Sequence, residues 1–122
     1  EGINKQFGTY TMCSEATMNA ALKYGCDLKF RKLANVAVVG KKEPVVVYEP
    51  MFEDIFNSKK EQIDIFDKGR DIFYQGKFTE ALKIFESKED IDPPCHFYAE
   101  KCRRFIQTPP EHFEGVWVAT EK

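Results

Sequence analysis

The sequence has no apolar run near the ~18 residues that cross a bilayer, and no signal-peptide pattern opens it. A cytoplasmic location without a membrane segment is the expectation. Cysteine is sparse: Cys13, Cys26, Cys95 and Cys102 form no C-x-x-C pair, which argues against a thioredoxin-like motif or a paired-cysteine zinc ribbon. They read as buried or half-buried thiols of a reducing compartment. Cys95, His96 and Cys102 offer three zinc ligands but lack a fourth. An excess of basic charge is also missing. Eighteen Lys and Arg stand against 20 Asp and Glu, a net charge of −2, which excludes the basic face of a general nucleic-acid binder. No P-loop or Rossmann glycine spacing, no nucleophile-elbow serine and no H-E-x-x-H occur. The two histidines, His96 and His112, lie in proline-flanked stretches without an evident acid or nucleophile partner, so both read as surface or capping residues.

What is present is an ordinary globular composition, 43% hydrophobic and 31% charged over 122 residues. That length allows one modest core or two small units sharing an interface. Residues 1–50 carry seven basic and five acidic side chains, whereas residues 51–122 carry eleven and fifteen. The two stretches also differ in pattern. Glu1 to Gly8 has no initiator Met and reads as a helix end running into a glycine stop, as expected of a piece of a larger protein. Thr9 to Cys13 follows as a short strand. Ser14 is a helix N-cap with Glu15 in the first turn, and the helix runs to about Tyr24, where Gly25 stops it. Leu28 to Arg31 alternates apolar and polar, and Leu33, Val36 and Val38 lead into a hairpin between Gly40 and Pro44. Val45 to Glu49 forms its second strand. These strands need neighbours that the chain does not supply. An open sheet edge or apolar face, and self-association through it, are therefore expected.

Pro50 marks the boundary, and after it the apolar period becomes helical. Ile55, Phe56, Ile63, Phe66 and Phe73 fall on one stripe, and Gly76 breaks the helix. Thr79 is expected to cap a second helix containing Ala81, Leu82 and Phe85. Ser87 to Asp92 reads as a charged loop, and Pro93-Pro94 begins a third helix, His96 to about Ile106. Gly69, Gly76, Ala81, Phe85 and Pro93 stand at the small, tight and turn positions of one tetratricopeptide repeat, although about three repeats make an independent solenoid. An ordinary helical hairpin is the alternative. The apolar tail around Trp117 is expected to dock on the body, the alternative being a partner-binding peptide.

Candidate chemistry is thin. Asp64 with Asp67, and Asp90 with Asp92, can be drawn as metal pairs, but both lie in charged segments that read as solvated. No catalytic residue and no metal site are assigned. Lys41 and Lys42, beside Gly40 on the hairpin, can meet a polyphosphate as point charges, or simply keep a sheet edge soluble.

Three blocks of residues carry a family resemblance. Glu1-Gly2-x-Asn4-Lys5-Gln6-x-Gly8-Thr9, then Ser14-Glu15-Ala16-Thr17, then Val38-x-Gly40-Lys41-Lys42-Glu43-Pro44-Val45-x-Val47-Tyr48-Glu49 resemble the C-terminal third of a class III adenylate/guanylate cyclase domain. The Tyr74-x-Gly76-x-Phe78-x-Glu80-Ala81-Leu82-x-x-Phe85 hairpin, the Pro109-Pro110 pair and the ending from Gly115 to Lys122 are similar to an extension that follows that domain in bacterial members. The resemblance implies an α+β chain: residues 1–50 as an incomplete ferredoxin-like piece of the catalytic domain, residues 51–122 as a tetratricopeptide-like helical hairpin with a third helix. It implies a parent that turns ATP or GTP into a 3′,5′-cyclic nucleotide and pyrophosphate as a homodimer. Two aspartates of the parent would hold Mg²⁺ or Mn²⁺. The metal aspartates, the purine-reading lysine and the transition-state Asn and Arg of the family have no counterpart here, so the chain alone is expected to be inactive and to serve sheet completion, dimerisation or regulation. Lys41 and Lys42 remain as candidate contacts to substrate phosphates. At Val39, where a further lysine is common in the family, this chain departs from the pattern. A protein-interaction module without enzymatic role is the competing reading.

Overall fold

The computed structural model describes residues 12–37, 43–111, 113 and 117–118. In chain order the elements are β1 (Cys13–Ser14), α1 (Glu15–Lys23), β2 (Lys29–Ala37), β3 (Val45–Met51), α2 (Glu53–Ser58), α3 (Lys60–Tyr74), α4 (Phe78–Glu86), α5 (Pro93–Gln107) and β4 (Trp117–Val118). This is an α+β fold, a strand–helix–strand piece followed by helices. The strands lie in the order β1-β3-β2-β4; β1, β3 and β2 pair antiparallel, and β4 joins β2 in parallel. The tail is thus docked at Trp117–Val118, beside Val36–Ala37.

One sequence reading of the sheet changes. The stretch from Leu28 to Val36 contains one continuous strand, β2, and it carries a bulge: Lys32 pairs with Tyr48 and Ala34 with Val47, leaving Leu33 as an extra residue. A bulge reverses the in-out parity of a strand. Arg31 and Leu33 before it, and Ala34 and Val36 after it, are consequently all buried. Pro50 lies inside β3, opposite Phe30, one residue before the strand ends at Met51. Among the described residues, β1 pairs with Tyr48 and Val47 of β3.

The helix signals behave as local chemistry dictates. Ser14 Oγ accepts from the Thr17 backbone N–H at 3.2 Å, and Gly25, at φ 87°, ends α1 in the left-handed region. The apolar stripe from Ile55 to Phe73 is not one helix: Lys59 leaves helical geometry at φ −107° and ψ 14°, separating α2 from α3. Ile55 is in consequence exposed, while Ile63, Phe66 and Phe73 are buried. Thr79 does not cap α4. The cap position is Lys77, with no side-chain hydrogen bond, and the helix starts at Phe78. There the Phe78 ring packs 5.3 Å from Phe73 and 5.1 Å from Phe105, so tertiary packing sets the start. α5 begins at Pro93, where Pro93-Pro94 placed the start of the third helix, and Asp92 caps it.

One buried cluster joins the sheet to the helices. Leu33, Ala34 and Val36 of β2 share it with Phe66 and Phe73 of α3, Ala81 and Phe85 of α4, and Cys95, Tyr98, Ala99 and Cys102 of α5. The rings meet mostly edge to face, as with Phe66 and Tyr98 at 5.3 Å and Phe73 and Tyr98 at 5.0 Å. Helix side chains also hold β2 around its bulge. Tyr98 donates to the Leu33 carbonyl at 2.8 Å, Arg70 donates to the Lys32 carbonyl at 3.0 Å, and the Asn35 N–H donates to the Tyr74 hydroxyl at 3.1 Å. β2 is therefore less open than the sequence suggested.

Gly69 makes the α3–α4 approach possible. A Cβ there would sit 2.7 Å from the ring of Phe85, which is fully buried and has nowhere to go. Replacing a helical glycine by alanine ordinarily stabilises by about 1 kcal/mol, but overpacking costs about 1–3 kcal/mol. Gly69→Ala is expected to lower stability by up to about 2 kcal/mol in urea titrations; a gain of about 1 kcal/mol, the ordinary value for a helical glycine, would refute the close packing.

Candidate functional site

The hairpin that carries the phosphate candidates is delimited by strands that pair as expected, since Val36 stands opposite Val45. Gly40, Lys41 and Lys42 themselves lie outside the described residues, as do His112 and residues 1–11. The structural placement that follows concerns the other candidates.

Asp64 and Asp67 are each taken up by a neighbouring cation. Asp64 meets Lys60 at 2.7 Å, both exposed, and Asp67 meets Arg70 at 2.7 Å. Cys95 and Cys102 point into the core, while His96 is exposed and bonded through Nδ1 to Glu89 at 2.9 Å, so the three drawn as zinc ligands are not brought together. Burial pushes both thiols up, Cys102 to about 12, with the Asp92 carboxylate adding to the rise at Cys95. Neither is poised as a thiolate nucleophile or metal ligand.

Among the described residues, one group of carboxylates and histidine has ligand atoms within 4.8 Å of one another: Glu89, His96 and Glu100. Arg103 already occupies its centre. It donates to Glu89 at 2.7 and 2.9 Å, to Glu86 at 3.2 Å and to Glu100 at 3.3 Å. Hydrogen bonds from Arg103 hold the Glu89 carboxyl low against a smaller opposing effect of burial, with His96 assisting. The group fastens the α4–α5 turn onto α5 as a hydrogen-bonded network.

Asp92 is where the structure departs furthest from the sequence reading. It is not a solvated loop acid but 1% exposed, and its partner Arg31 is 2% exposed. The Arg31 fork meets the carboxylate with both terminal nitrogens: Nη1 donates to Oδ1 at 2.8 Å and Nη2 donates to Oδ2. Gln62 of α3 donates to Oδ1 at 2.8 Å, and the Cys95 N–H donates to Oδ2 at 3.3 Å as the α5 cap. One carboxylate thereby links β2, α3 and α5. The Arg31 guanidinium also lies 4.7 Å from the centre of the Phe66 ring. Burial alone would raise the Asp92 carboxyl, but hydrogen bonds and charge from Arg31, with Cys95 and Gln62, outweigh it and hold the carboxyl below its ordinary range. Glu49, cross-strand from Arg31, is half-buried; burial pushes its carboxyl up against the pull of Arg31 and Lys59.

These geometries are those of structural links between elements of the chain. Asp92 was legible as a cap, because Asp directly before Pro-Pro is a helix-start signature. Its partner was not, since Arg31 is 61 residues away. No protein-family model matches the chain, and no curated protein or solved structure matches it either.

Removing one member of a buried ion pair strands the other charge, at a cost of about 3–5 kcal/mol. Asp92→Ala is expected to lose that much in denaturant titrations, whereas a double change of Arg31 and Asp92 to Met and Leu restores most of it. Equal losses in the single and double variants would contradict the pairing. The pH dependence has a definite sign. Asp92 titrates below its ordinary value of 3.8 in the fold, so its contribution is present above that pH and is lost as pH falls through the lower native value. Urea midpoints at pH 6 and pH 3 should show this fall in the native protein and a smaller one in Asp92→Asn.

Proposed function

We propose that the chain is the C-terminal part of a class III nucleotide cyclase, in which β1 to β3 complete the catalytic sheet and the helices form an accessory layer. The parent would convert ATP or GTP to a cyclic nucleotide and pyrophosphate as a homodimer, with Mg²⁺ or Mn²⁺ held by residues outside this chain. Lys41 and Lys42 would assist at the substrate phosphates. The observation that carries the reading, beyond the sequence resemblance, is α1. This nine-residue helix buries none of its side chains, and Leu22 and Tyr24 at its end are 47% and 85% exposed. A helix this short draws its stability from tertiary packing. A short α1 without a fully buried side chain fits a sheet whose remaining layer is supplied by other parts of a catalytic domain.

The experiment has two arms. The full-length gene product, incubated with ATP or GTP and Mn²⁺, is expected to form cyclic nucleotide, and the present chain alone to form none. Absence of product from the full-length protein under both substrates, or turnover by this chain alone, would overturn the proposal.

A second reading rests on a different observation. The Gly69–Phe85 contact, the Gly76 turn at φ 84° and the restart of a helix at Pro93 together build the close-packed hairpin of a tetratricopeptide-like unit. On that reading the helices bind a protein partner. Because Leu33, Ala34 and Val36 complete the helical core, partner capture needs the whole chain rather than residues 51–122 alone. A partner retained by a chain carrying Lys41→Ala and Lys42→Ala, in a parent without cyclase activity, would favour the interaction module.

A further inference from the structure

β3 turns an acid toward the helices. Val47 packs against the core cluster and Met51 is buried, so Glu49, midway between them, lies in the same row of the strand. It stands directly opposite Arg31 of β2. Cross-strand partners share a face, with Cβ atoms about 5 Å apart. The Arg31 fork, however, is committed to Asp92 through Nη1 and Nη2. Its third nitrogen, Nε, is buried and has no hydrogen-bond partner. The charged groups that act on Glu49 are Arg31 of β2, Lys59 at the α2–α3 break and Asp92 at the start of α5. Two carboxylates thus share one buried guanidinium, and Glu49, only half-buried, can exchange a proton with water.

We propose that Glu49 is a second claimant for Arg31 and that Glu49, Arg31 and Asp92 form a proton-operated latch between the sheet and α5. With Glu49 protonated, no second anion competes for the guanidinium, and Arg31 stays on Asp92. The α5 cap bond from the Cys95 N–H to Asp92 stays with it. When Glu49 releases its proton to water, its carboxylate draws the unpartnered Nε toward β3 and repels the carboxylate of Asp92. The hold of β2 on the start of α5 then loosens. Burial, the largest influence, raises the Glu49 carboxyl against the pull of Arg31 and Lys59, and Asp92 adds to the rise. A carboxyl raised in the fold contributes stability that is present below its ordinary value of 4.5 and is lost as pH rises through the native value. That sign is opposite to the one for Asp92, whose contribution is lost toward low pH. The latch is tightest between the two titrations. The proposal is independent of the nucleotide cyclase reading.

The test follows the full chain by NMR from pH 4 to pH 8, with Glu49→Gln beside it. The side-chain carboxyl carbon of Glu49 is expected to titrate above 4.5, and the Arg31 Nε–H resonance to shift along the same curve. Across that titration, protection of the Cys95 amide, corrected for the intrinsic exchange rate, should fall by about threefold more in the native chain than in Glu49→Gln. A Glu49 that titrates at or below 4.5 would overturn the latch. So would an Arg31 Nε–H that does not follow the Glu49 titration, or Cys95 protection that falls equally in the two chains. The first two readouts need only the native chain, so they decide the matter even where Glu49→Gln fails to fold.

Discussion

The buried pair of Arg31 and Asp92 is the constraint on which the arrangement of the chain depends. An arginine in the core-facing row of a strand is tolerable only if its charge is met, and here the Arg31 Nε is left without a hydrogen-bond partner. Asp92 meets both terminal nitrogens while capping α5, and Gln62 of α3 binds the same carboxylate. The geometry leaves little freedom. To satisfy Arg31, the start of α5 must sit over β2, and α3 must lie alongside. The helical layer is thereby set on the sheet in one position, and the apolar contacts of Phe66, Phe85 and Tyr98 with Leu33 and Val36 follow from it. Such a pair is a device of placement more than of net stability, since its desolvation offsets much of the attraction.

The bulge at Leu33 works to the same end. An unbroken strand would turn Ala34 and Val36 to the face opposite Arg31 and Leu33. The extra residue brings all four to the helices, and Tyr98, Arg70 and Tyr74 bond the β2 backbone around the irregularity. The functional proposal inherits this geometry. A helical layer fixed to β2 is fixed to the strand that leads into the Gly40–Lys42 hairpin, so an accessory layer of a cyclase would be mechanically joined to the catalytic sheet rather than tethered beside it.

Much of the fold was legible because its signals are local. Ser14 and Gly25 bound α1, Gly76 turns the hairpin, Pro93-Pro94 starts α5, and the apolar period changes from two to nearly four after β3. The misreadings have non-local causes. Thr79 looked like a cap, but packing of Phe78 against Phe73 and Phe105 starts the helix earlier. A bulge has no residue signature in Lys32-Leu33-Ala34; it is imposed by what β2 packs against. Asp92, among Lys88, Glu89 and Asp90, had the composition of a solvated loop, and only the fold brings it to Arg31 across 61 residues. Of the candidate site, the sequence pointed to Lys41 and Lys42 through resemblance, whereas the charge clusters that the fold assembles around Glu89 and Asp92 serve cohesion.

The central claim is that sheet and helices form one cooperative unit fastened at Arg31 and Asp92. Native-state hydrogen exchange tests it most directly, by comparing the opening free energies of Leu33 and Ala34 in β2 with those of Tyr98 and Ala99 in α5 across a denaturant series. The account predicts that the four amides converge on a single global opening. A β2–β3 hairpin that opens separately, at clearly lower free energy than α5, would contradict it.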